Sequence, residues 1–187
     1  MHSGWGILVT IAGVPETLEV IDRRRIVITD PKIPMANQPY HFAADLEFSQ
    51  AEKHIANCAV TSERLALSAV EGLLQELKER HFRIIGTSIL MGSGRTLPEL
   101  EKILSAHPLI HTADGEFFRN AVRKSCEELR IPVTAIIERE LDEQAKSTFG
   151  NGAAHIKKRV ETMGASIGPP WTKDHKSAAL AAAMMLT

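Results

Sequence analysis

The spacing of hydrophobic and polar positions changes character several times along the chain. Trp5-Gly6-Ile7-Leu8-Val9-Thr10-Ile11 is rich in β-branched residues and runs into Ala12-Gly13-Val14-Pro15, a turn signal. Leu18 to Ile21 and Arg25 to Thr29 continue in the same style. An early β-hairpin or meander is therefore predicted, broken at Asp30-Pro31. Lys32 to Tyr40 carries Pro34 and Pro39 and reads as irregular. The polar stretch with Asp45, Glu47, Glu52 and His54 shows no readable period.

From Ser62 the period is helical. Ala66, Val70, Leu73, Leu74 and Leu77 share one face, and Thr61 or Ser62 can cap the start. Phe82 to Leu90 reads as a buried strand closed by Gly92-Ser93-Gly94-Arg95. Pro98 suits the first turn of a short helix through about Ala106. A longer helix is predicted from about Asp114 to Leu129, with Phe118, Val122, Cys126 and Leu129 on one face and Pro132 as its stop. Val133 to Ile137 makes a short strand, and helical segments follow near Leu141 to Thr148 and Ala153 to Met163. Gly168-Pro169-Pro170 breaks the chain before a last helix from about Lys173 to Leu186. The order predicts an α/β fold: a mixed sheet with an antiparallel N-terminal part and helices packed on it. One domain over residues 1–187 is expected.

Composition narrows the class. The chain is 44% hydrophobic and 24% charged, which excludes a disordered, collagen-like or disulfide-scaffold protein. The longest apolar run, Ala178 to Leu186, is far short of the ~20 residues of a membrane helix, so no membrane partner is expected. No secretory signal pattern is seen, and two cysteines suit a reducing cytoplasm. A formal charge of -1 argues against strong non-specific nucleic-acid binding.

The end of the chain carries a likeness. Gly150-Asn151-Gly152-Ala153, then Val160 and Met163, a proline-containing loop, and Asp174-His175-Lys176-Ser177-Ala178-Ala179-Leu180-Ala181 resemble the C-terminal third of RuvC-type Holliday-junction resolvases. In that family a Gly-Asn-Gly-like turn opens a helix, and a final helix begins with Asp-x-x-Asp before an Ala/Leu-rich stripe. Ser3-Gly4-Trp5-Gly6-Ile7-Leu8 resembles the family's second strand, which follows a catalytic Asp-Pro-Gly turn. The resemblance implies a ribonuclease H-like fold. It also implies cleavage of structured nucleic acid with Mg²⁺ or Mn²⁺, where about four carboxylates hold two cations against a phosphodiester.

Against that pattern the acids are sparse. Met1-His2-Ser3-Gly4 has none, and neither has Ile85 to Met91, where the second would stand. Asp174 matches the third, and Ser177 stands in place of the fourth. Three alternatives follow: an inert copy, a first strand upstream of Met1, or acids that have moved.

Several groups are candidates for the chemistry. His111-Thr112-Ala113-Asp114-Gly115-Glu116-Phe117-Phe118-Arg119 is the densest cluster. His111, Asp114 and Glu116 could converge with Asp174, with Asp174 and Glu116 as metal ligands and His111 and Glu116 sharing acid–base work. The same residues equally suit a helix start: Thr112 or Asp114 as cap, Glu116 on the dipole, Arg119 as its surface partner. Gly92-Ser93-Gly94-Arg95 could cradle a phosphate on backbone amides, or serve as a plain strand-to-helix turn. Arg23-Arg24-Arg25 and Lys157-Lys158-Arg159 could touch phosphates or form a solvated face. Tyr40-His41 could line a pocket. No His-x-x-x-His is expected on one helix, and Cys58 and Cys126 have no C-x-x-C partner, so no zinc motif is predicted.

The expected function is therefore a divergent RuvC-like protein that binds nucleic acid and, if active, cleaves it as a divalent-metal phosphodiesterase. Two alternatives stand beside it: a non-catalytic binding or assembly module, such as a homodimer, and a small-molecule phosphate-binding protein centred on Gly92 to Arg95.

Overall fold

The structure, a computed structural model, describes all 187 residues. Strand β1 (Trp5–Ala12) pairs antiparallel with β2 (Glu19–Val27), Gly6 opposite Ile26 and Thr10 opposite Asp22, with a bulge after Thr10. Helices α1 (Pro39–Ala43) and α2 (Phe48–Glu79) follow. Strand β3 (Thr87–Met91) leads through α3 (Leu100–Leu104) and α4 (His107–Glu128) to β4 (Val133–Ile137). β3 and β4 pair in parallel, Thr87 opposite Val133 and Met91 opposite Ile137. The chain ends in α5 (Leu141–Phe149), α6 (Ala153–Thr162), α7 (Gly164–Ile167) and α8 (Lys173–Ala183). No helix is long and apolar enough to cross a membrane.

The molecule is α/β, but the strands form two separate pairs where a single mixed sheet was expected. Alternate side chains feed two cores on opposite faces. On one, Ile26, Ile28 and Ile89 pack with Val70 of α2 and Phe118 and Val122 of α4. On the other, Ile136 packs with Leu141 of α5, Ile156 and Val160 of α6, and the alanine-rich face of α8. Small side chains at Ala179, Ala181 and Ala183 let α8 lie close against both β1 and β3. Full burial of Phe118 stabilises the first core by about 1.5–3 kcal/mol.

Two helices start earlier than the pattern suggested. α2 begins at Phe48, not Ser62, because small apolar residues, Ala51 and Cys58, continue its buried face through the polar stretch. α4 begins at His107, not Asp114, because Pro108 occupies its first turn, where a missing N–H costs nothing. Conversely, Phe82 to Gly86 lies outside β3 and pairs with no strand, since β4 begins at Val133, opposite Thr87. The last helix gives way to a 3-10 turn at Met184.

Candidate metal centre

β1 starts, and β3 and β4 end, at one rim of the molecule. A mostly polar cleft of about 510 Å³ opens there, walled by Met1 to Ser3, Gln38, His41 and the first turns of α4. The earlier start of α4 changes its chemistry. His107 and His111 lie one turn apart on one helix, a His-x-x-x-His that the sequence pattern leaves in the link between two predicted helices. α1 brings His41 to meet them. One ligand nitrogen from each of the three rings lies within 4.8 Å of the others. The ring centroids are 4.5 Å apart for His41 and His111 and 4.4 Å for His107 and His111.

Asp114, one turn beyond His111, fixes the third ligand. Its Oδ1 accepts the Tyr40 N–H at 2.8 Å, and its Oδ2 lies 2.5 Å from His41 Nδ1. A carboxylate there accepts a hydrogen bond from Nδ1–H and so leaves the Nε2 lone pair free for an ion. A tetrahedral ion with bonds of ~2.1 Å sets its donors about 3.4 Å apart, so small ring rotations close the site. Three imidazoles suit zinc, cobalt or nickel. They do not fit the Mg²⁺ or Mn²⁺ of the sequence expectation, since those ions prefer oxygen donors.

The sequence-predicted residues divide among three places. His111 and Asp114 belong to the histidine cluster. Glu116 turns away from it, buried under the loop after β3, where its Oε1 accepts the N–H groups of Gly92 and Ser93 at 2.9 and 3.0 Å. A Cβ at Gly92 would lie 2.9 Å from that oxygen, so a larger residue there would displace the carboxylate. Glu116 Oε2 is buried without a partner. The amides of Gly92 and Ser93 thus hold an internal carboxylate, and the Arg95 N–H is directed to the Ser93 hydroxyl at 3.2 Å. Gly94 takes a left-handed conformation with φ of 63°.

Asp174 lies in the first turn of α8, whose cap is made by Thr172 with His175. Its Oδ2 meets His2 Nε2 at 2.9 Å. Neither Asp174 nor Glu116 joins a group of three metal-ligating side chains. Burial and the Arg119 charge lower the pKa of the Met1 amino group, opposed by Asp174 and Glu138. The end of β4, the middle of α4 and the start of α8 therefore converge on Met1, and Glu138 is a rim residue the sequence did not single out. Arg119 ties α4 to β3 through the Leu90 carbonyl at 2.8 Å.

Most of the basic runs are engaged internally, and Lys158 is exposed. Arg23 donates to the carbonyls of Ile167, Pro169 and Pro170. Arg24 pairs with Asp22 and Glu76, and Arg25 lies over the Trp5 ring. Lys157 pairs with Asp142, and Arg159 donates to the Leu18 carbonyl. Comparisons with protein-family models, curated proteins and solved structures found no match.

Proposed function

We propose that this chain is a divergent ribonuclease H-like, metal-dependent phosphodiesterase whose ion is of the zinc class and is held by His41, His107 and His111. The observation that carries this reading is the convergence of three imidazoles at the rim of a polar cleft, one of them oriented by the partly buried carboxylate of Asp114. An ion with three protein ligands keeps an open position and supplies a Lewis acid and a water of lowered pKa. The order of hairpin, helix, parallel β-α-β unit and final helix across both strand pairs supports the architecture. Because most of the basic runs serve internal bonds, the substrate is better sought among small or locally presented phosphodiesters than along a duplex.

The test is hydrolysis of bis(p-nitrophenyl) phosphate and of branched DNA by the full chain with Zn²⁺ or Co²⁺. Turnover that is abolished by chelator and by His111→Ala supports the reading. A chain that binds the ion tightly but turns over neither substrate contradicts it. The non-catalytic binding module would then be the better description, a reading favoured by the internal engagement of Asp174 and Glu116.

A further inference from the structure

The two strand pairs each leave one edge unpaired, and these edges face each other. β1 bonds only to β2, and β3 only to β4. The Gly4 carbonyl accepts the Ile28 N–H on the β2 side. By the alternation of an antiparallel ladder, Ile7 and Val9 therefore turn their N–H and C=O groups to the other edge. Between that edge and the segment Phe82 to Ser88 lies a cavity of about 330 Å³. Leu73 of α2 and Val122 of α4 close one side, and Ala178 and Ala182 of α8 close the other. Of its 25 lining residues 19 are hydrophobic, so the side chains offer little to satisfy those backbone groups. α8 spans β1 and β3 although the two strands do not pair, so the space between them is a strand-wide slot with helices above and below.

The backbone already turns toward this slot. Ser3 and Gly4, the latter with φ of 84°, form a two-residue turn, and the His2 N–H bonds to the Trp5 carbonyl at 2.8 Å. That bond is the first rung of a ladder on the free edge of β1. Polypeptide joined to the amino end of Met1 would carry the ladder on past Ile7 and Val9. The partly buried amino group of Met1 fits the same arrangement, because a peptide bond there has no charge to desolvate.

We propose that the slot holds a further β-strand of about seven residues, the length of Ile7 to Gly13, joined to the amino end of Met1. It runs antiparallel to β1 and parallel to β3, and it merges the two pairs into one five-stranded sheet. Its last residues arrive at the cleft beside His2 and Asp174. The inference stands apart from whether the cleft holds a metal.

Two measurements test it. Mass spectrometry of the N-terminal peptide from the native cells is expected to find a near-continuous apolar run ahead of Met1, as a strand covered on both faces requires. Fusing eight valines and isoleucines to Met1 is expected to slow amide exchange at Ile7 and Val9 by at least about tenfold, while a proline-interrupted fusion does not. A native N-terminus at Met1 or His2 overturns the proposal, as does a fused strand that leaves this exchange unchanged. Equal protection by the same peptide added free would assign the slot to a strand of another polypeptide. Protection that rises with protein concentration alone would assign it to a second copy. Either result also overturns the covalent arrangement.

Discussion

Asp114 Oδ2 sits 2.5 Å from His41 Nδ1, across 73 positions of sequence, and joins α1 to the first turns of α4. The same carboxylate accepts the backbone N–H groups of Tyr40 and His41, so it anchors α1 as well as orienting its histidine. Asp114→Ala leaves these donors without their acceptor. A loss of about 2–3 kcal/mol is expected, read as a drop in Tm of roughly 4–10 °C. Zinc affinity should fall about 10–100-fold in the same variant. A variant with unchanged Tm and affinity would show that the carboxylate supports neither role.

Glu116 makes a contrasting prediction. Only one of its carboxylate oxygens is satisfied, and the other is buried alone. Glu116→Gln keeps an acceptor for the Gly92 and Ser93 amides and removes the charge, so a change within about 1 kcal/mol is expected. Glu116→Ala abandons both amides and should cost about 2–4 kcal/mol. Denaturant unfolding of the two variants checks the difference. Metal affinity should be nearly unaffected by Glu116→Gln, because Glu116 faces the loop after β3 and not the histidines.

Acidity should act through His175. Burial, followed by the Arg23 charge, lowers its pKa, and Asp174 opposes them. Its Nδ1 faces both the Thr172 N–H at 3.2 Å and the Thr172 hydroxyl at 2.8 Å, so the neutral ring completes the cap of α8. The folded form resists a proton that the unfolded chain takes up near pH 6.5. Stability from this group is therefore full above about pH 7 and falls as pH drops through 6.5, levelling off below the folded pKa. His54, lowered by burial, acts in the same direction. His175→Gln keeps a capping side chain without the titration. Its Tm should fall less than that of the wild type between pH 7 and pH 5, and equal falls would exclude His175 as a source.

Much of the scaffold is legible in the residues. Trp5 to Ile11 and Val133 to Ile137 announce strands by their β-branched runs, and the leucine face from Ala66 to Leu77 announces a helix. The site is less legible because its geometry hangs on one helix start. Reading Asp114 as a cap hid the turn that joins His107 to His111, although Pro108 carried the signal. The polar stretch before Ser62 concealed half of α2, since Ala51 and Cys58 are too small to stand out as a hydrophobic face. The contacts of His2 with Asp174 and of Glu116 with the Gly92 loop are long-range, and no local period encodes them.

The most direct measurement is calorimetric titration of Zn²⁺ into the full chain beside His107→Ala and His111→Ala, with circular dichroism confirming that each variant is folded. One ion per chain with Kd below about 1 µM is expected, weakened at least about 100-fold in each variant. Absence of binding at about 100 µM Zn²⁺, or binding that survives both substitutions, would contradict a metal centre at the three histidines.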